Sequence, residues 1–169
     1  SSTVKVGYPV MEESEGFSGK AAKLVTLDSR AHVLGSMAPI TSGSLFTGTF
    51  SLNMLAPLKS TKFGIAYDKE PKLLKGVYKY KAGTNYVTLT GVDINTSEYR
   101  VAEARLKDGT DKDEWTTFEL AFEYLPEKSY DSTKEYKLAI ICSSSKEGDK
   151  FKGAANSTLI GDELEVIGE

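Results

Sequence analysis

Period-two alternation of apolar and polar residues, interrupted again and again by glycine, proline and small polar residues, limits the folds open to this chain more than any other feature. A short segment in which every second side chain is apolar buries one face as a β-strand and has no comparable face as a helix. The pattern is clearest from Trp115 to Tyr124, where Phe118, Leu120, Phe122 and Tyr124 oppose Thr117, Glu119, Ala121 and Glu123. It returns as Tyr136, Leu138, Ile140 and Cys142, and in a closing strand as Ile160, Leu164 and Val166. Tyr78 and Tyr80 alternate with Lys79 and Lys81. Val4 to Tyr8, Lys20 to Leu27, Ser44 to Leu52, Tyr86 to Val92 and Arg100 to Leu106 also read as strands. No segment shows a 3.6-residue period, so roughly eight to ten antiparallel strands, packed as an all-β jelly-roll sandwich, are predicted.

Two stretches escape the alternation. Asn53 to Lys72, punctuated by Pro57, Gly64 and Pro71, reads as a connection of about twenty residues, a length that in a compact domain is commonly functional. Ser143 to Gly153 is made of small and charged residues and is predicted to lie outside the core. The first and last strands are expected side by side, each covering the other's unpaired edge.

One residue conflicts with its strand. Asp162 shares the register of Ile160 and Leu164, and a carboxylate pointing inward needs compensation. Three devices would supply it: an ion pair, a bulge at Gly161 that turns the side chain out, or a structural calcium held by Asp162 together with Glu13 and Glu15 near the Ser18-Gly19 turn. The sequence requires no cofactor.

The whole chain, residues 1–169, reads as one domain, because no linker or low-complexity segment divides it. Its net charge of -3 is spread evenly, which leaves no basic face for nucleic acid. No apolar run approaches the ~18 residues of a membrane-spanning helix, so direct membrane insertion is not expected. Cys142 is the single cysteine, which excludes an internal disulfide, and its register places it in the core.

Catalytic patterns fare poorly. Ser143-Ser144-Ser145-Lys146 fits Ser-x-x-Lys in letters but lacks the helix start and downstream motifs that chemistry needs. His32 is the only histidine and stands beside no nucleophile motif. Glu119 with Glu123, and Glu163 with Glu165, are same-strand pairs that point in parallel and do not clamp a sugar between them. No catalytic residue is assigned, and the chain is not expected to be an enzyme. Aromatic rings beside polar groups are a different matter, since a sugar stacks its C–H face on a ring while its hydroxyls seek hydrogen bonds. Trp115, on the polar register of its strand, Phe63, Tyr67 and Asp68 in the long connection, and Tyr86 form the candidate ligand-binding set.

The order of several motifs adds a resemblance. Ser18-Gly19-Lys20-Ala21-Ala22-Lys23-Leu24 and Ser157-Thr158-Leu159-Ile160-Gly161-Asp162-Glu163-Leu164-Glu165-Val166 are similar to the opening and final strands of jelly-roll carbohydrate-binding modules. Ser44-Leu45-Phe46-Thr47-Gly48, Phe63-Gly64, Pro71, Leu74, Gly76 to Gly83, Trp115 with Phe118, and Ser143 to Gly153 follow in the order of the Putative carbohydrate metabolism domain of secreted and surface proteins of Bacteroidetes. The chain resembles that family from about Gly16 to Ile167, with Asn156 standing where a glycine is expected. The resemblance implies a fold like that of carbohydrate-binding or galactose-binding-like modules. It also implies an extracytoplasmic setting in the periplasm or at the cell surface, with the signal or anchor missing from this sequence. The chain would be the C-terminal domain of a longer secreted protein, with a neighbouring domain upstream. Its partner would be a polysaccharide or oligosaccharide, its role that of a non-catalytic carbohydrate-binding accessory domain in polysaccharide utilisation. A protein-interaction module of a surface assembly is the alternative, and a glycoside hydrolase ranks third.

Overall fold

A computed structural model of the chain describes residues 7–31, 38–51, 53, 55, 60–83, 88–90, 100–107, 109–145, 147–148 and 152–169. Among these the elements are β1 (Val10–Glu13), β2 (Ala21–Val25), β3 (Leu27–Asp28), β4 (Ile40–Thr41), β5 (Ser44–Phe46), β6 (Gly48–Phe50), β7 (Thr61–Phe63) and β8 (Ile65–Tyr67). They continue with β9 (Pro71–Lys81), β10 (Thr88–Thr90), β11 (Ala102–Glu103), β12 (Arg105–Lys107), β13 (Lys112–Ala121), β14 (Glu123–Tyr124), β15 (Tyr136–Leu138), β16 (Ile141–Ser143) and β17 (Thr158–Gly168). No helix occurs among the described residues.

The predicted all-β antiparallel sandwich is what forms. One layer is a five-stranded sheet in the order β1-β2-β17-β9-β13. Its inner face carries Leu24, Leu159, Tyr80, Tyr78, Leu74 and Phe118 into the core. The other layer is built of short paired strands, including β16 with β5 and β10 with β12, and it contributes Cys142 and Ile140 to the same core. The tyrosines of β9 face inward and its lysines outward, as the alternation predicts. Gly76 has no side chain because a Cβ there would come within 3.0 Å or less of Leu164 and Phe118.

The expected adjacency of first and last strands rests on Val4 to Tyr8, most of which lies outside the described residues. The last strand, β17, is central, flanked by β2 and β9. Gly7 and Tyr8 are not in a strand. β17 also carries a bulge, one of the three devices open for Asp162, but beyond Asp162 rather than at Gly161. Asp162 pairs with Val77 and Glu165 with Lys75, so Glu163 and Leu164 together oppose Gly76, and Glu163 has φ 53°. The extra residue reverses the register: Leu159, 1 % exposed, is inward before the bulge, and Leu164 and Val166 pack inward after it. Ile160 and Asp162 therefore face outward, and the carboxylate meets no core.

Two other expectations change. Thr61–Phe63 and Ile65–Tyr67 are short strands rather than part of a structureless connection; Gly64, at φ 91°, breaks the run between them and hides its alternation. Ser144 is 0 % exposed and Ser145 is also buried, although the loop was expected to lie outside the core. Their hydroxyls bond Thr26 Oγ1 at 2.8 and 2.6 Å, and Ser144 Oγ accepts the Gly43 N–H, so burial leaves them satisfied. Asn156 occupies its glycine-like position at φ 70°, a conformation asparagine tolerates better than most residues.

Candidate functional site

Antiparallel pairing of β8 with β15 sets Tyr67 opposite Tyr136, and from this pair a cavity of about 750 Å³ opens at one end of the sandwich. Among the described residues six aromatic ones line it: Phe63, Tyr67, Phe122, Tyr124, Tyr130 and Tyr136. Asp68, Lys69, Arg100, Lys134, Glu135 and Lys137 add charged groups. The aromatic residues are brought together from four separate stretches of chain, and this is why sequence adjacency reveals only part of the set.

The wall from Tyr130 to Tyr136 is held open by its own bonds. The two rings stack at 5.1 Å with 28° between planes. The Asp131 N–H donates to Tyr136 Oη at 2.9 Å, and the Asp131 carboxylate accepts the Thr133 N–H and hydroxyl. Those Thr133 bonds, side chain first, hold the Asp131 carboxyl below its ordinary range. Tyr130 Oη donates across to the Asp68 carbonyl at 3.4 Å, tying this wall to β8. On the third side Tyr124 donates its hydroxyl to Glu70. Burial and then the Glu70 carboxylate push the Tyr124 phenol up to about 12, while Lys72 and then Tyr124 hold Glu70 down. The Tyr67 hydroxyl is buried with no hydrogen-bond partner among the described residues, packed so close to Gly168 that a Cβ there would lie 2.3 Å from it. Its phenol is pushed up, mainly by burial.

Phe63, Tyr67 and Asp68 of the predicted set thus meet in one cavity. Trp115 does not join them. It lies on the outer face of the five-stranded sheet, edge to face with Phe17 at 6.0 Å, with Lys79 Nζ 5.2 Å from its ring centroid. Tyr86 lies outside the described residues. Asp162 sits beside the Phe17 turn and accepts the N–H groups of Ser18 at 3.0 Å and Glu163 at 2.8 Å, with a further bond from Phe17. The Ser18 amide is the main reason its carboxyl is held below the usual range. Glu13 pairs with Lys23 at 3.5 Å, and Glu15 is exposed. Among the described residues no three acidic, histidine or cysteine side chains gather as metal ligands.

Sequence reading missed Tyr124, Tyr130 and Tyr136 as site residues. The alternation assigned Tyr124 and Tyr136 to core faces, and nothing drew attention to Tyr130. The signal available was the polar, turn-forming run Asp131 to Glu135 between Tyr130 and Tyr136.

An all-β sandwich with an aromatic cavity at one end defines the class, and comparison with known proteins supplies the family. The chain belongs to the family described as Putative carbohydrate metabolism domain, whose profile matches residues 2–88 and 86–167. A structure from Bacteroides thetaiotaomicron named a putative glycoside hydrolase is 35 % identical, with a TM-score of 0.81 over 96 % of this chain. Another of that name from Bacteroides vulgatus is 32 % identical, with a TM-score of 0.79 over 95 % of this chain. The chain spans 57 % of the first protein and 78 % of the second. No curated protein matches.

Proposed function

We propose that this domain binds a carbohydrate without cleaving it, as an accessory domain working outside the cytoplasm on polysaccharide or oligosaccharide. The observation that carries the reading is the cavity: among the described residues, six aromatic side chains and several charged groups around about 750 Å³, within the size range of small-molecule sites. Rings offer apolar faces to the C–H side of a pyranose, and the charged rim offers partners to its hydroxyls. Membership of a carbohydrate-metabolism family supports the ligand class. A glycan array on the whole chain, followed by calorimetry, tests it: a bound glycan whose affinity collapses in Tyr130→Ala supports the reading, and silence across a broad array contradicts it.

A second reading, hydrolysis, is favoured by one observation besides the names of the relatives. Asp68 and Glu135 both line the cavity, directly next to the paired Tyr67 and Tyr136. Both are exposed, however, and neither is held in an apolar pocket as a buried general acid would be, so binding is the reading we keep. Release of reducing sugar that disappears in Asp68→Asn or Glu135→Gln would reverse the ranking.

A further inference from the structure

We propose that the ligand of this cavity is an acidic saccharide, one carrying a carboxylate or a sulfate; the inference rests on the binding reading above and narrows it. The charges on the cavity wall differ from those of the chain as a whole. Among the described residues Lys69, Arg100, Lys134 and Lys137 line it against Asp68 and Glu135, an excess of two positive charges (four minus two) in a chain of net charge -3.

The carboxylates that pair with two of these cations stand off the wall. Arg100 Nη1 meets Glu103 at 2.9 Å and Lys134 meets Asp131 at 3.6 Å, yet neither Glu103 nor Asp131 lines the cavity. Glu103 is also shared, since Arg105 Nη2 approaches it at 3.4 Å, and these three side chains sum to +1. Arg100 is held by this pairing with its side chain mostly buried, so its guanidinium is pre-oriented rather than free to sweep through solvent. An anionic group entering the cavity meets Lys69, Lys134 and Lys137 at its exposed edge and the held Arg100 guanidinium deeper in, and gains charge-assisted hydrogen bonds that salt screens. A neutral sugar gains only the ring contacts and neutral hydrogen bonds.

Calorimetry of the whole chain with three probes of matched length separates the possibilities: an oligogalacturonide, a sulfated chondroitin oligosaccharide and a neutral xylo-oligosaccharide. One of the acidic probes should bind about tenfold or more tightly than the neutral one, as charge-assisted hydrogen bonds allow, and the two acidic arms distinguish carboxylate from sulfate. That advantage should shrink as salt rises. Lys69→Gln with Lys137→Gln should weaken the acidic probe far more than the neutral one and so erase the preference, whereas Tyr130→Ala should weaken every probe. A neutral probe bound as tightly as both acidic ones, and still sensitive to Tyr130→Ala, overturns the charge inference and leaves carbohydrate binding standing. No heat from any probe overturns both.

Discussion

On the outer face of the five-stranded sheet, Phe17 and Trp115 meet edge to face above β9, Lys79 covers the indole, and Asp162 takes the amides of the turn that delivers Phe17. At the end of the sandwich, Phe63, Tyr67, Tyr124, Tyr130 and Tyr136 surround open space. Both regions mix aromatic rings with charge, and in the sequence Trp115 and Asp162 are the more conspicuous. Their difference lies in how far their interactions are already satisfied. Val77, on the outer face, is 4 % exposed beside Thr117 and Asp162, and Phe17, itself half exposed, straps the β1–β2 turn across the sheet. The cavity's bonds, by contrast, lie mostly within the 130–136 wall and fix its shape, and one, from Tyr130 to the Asp68 carbonyl, ties that wall to β8. Rings spread on an open sheet face and held there by a cation and a turn act in stability; rings that line a concave space are available to a ligand.

Removing β17 should break the comparison altogether, because both regions hang on the sheet it centres. Deletion of Thr158 to Ile167 should leave no cooperative thermal transition, and a sharp melt near the parent temperature would contradict the central placement of that strand.

Point substitutions separate the regions. Trp115→Ala should cost about 2 kcal/mol in denaturant unfolding, less than for a fully buried tryptophan, with glycan affinity unchanged. Tyr130→Ala should do the reverse, weakening the glycan about tenfold or more while costing less than about 1 kcal/mol of stability. Equal effects of both variants on binding would erase the distinction.

The smallest expected effect concerns Asp162. Its folded carboxyl is held below the ordinary value of 3.8, so the stabilisation it provides is present above that value and is lost as pH falls through the lower folded pKa. The stability gap between parent and Asp162→Asn should therefore be constant near neutrality and close on acidification below about pH 4. Calcium and chelator should give the same melt, because the Asp162 oxygens are engaged by backbone amides. A calcium-dependent rise that Asp162→Asn abolishes would restore the structural-ion proposal with Glu13 and Glu15.

How much of this was legible follows from how local each feature is. Alternation in β9 and β13 predicted their faces, since period two needs no information beyond the strand itself. In β17 the bulge at Glu163 inverted the register midway, so Asp162 looked buried when it faces out. Ser144 and Ser145 looked too polar for the core because their partners, Thr26 and Gly43, lie more than a hundred residues away. Phe63, Tyr67 and Asp68 were recognised from aromatic and polar neighbours in one segment. Tyr130 and Tyr136 join them only through the β8–β15 pairing, which no local pattern encodes.

Trp115 is the only tryptophan, and its indole N–H gives a single, assignable NMR signal from the outer face. Titrating the tightest glycan from the array while following that signal and the backbone amides of residues 65–69 and 130–137 tests most directly whether the cavity is the ligand site. The amides of both cavity walls should shift in a saturable manner while the indole signal stays in place. A saturable shift of the indole with the cavity amides unmoved would contradict the account and assign the ligand to the outer face.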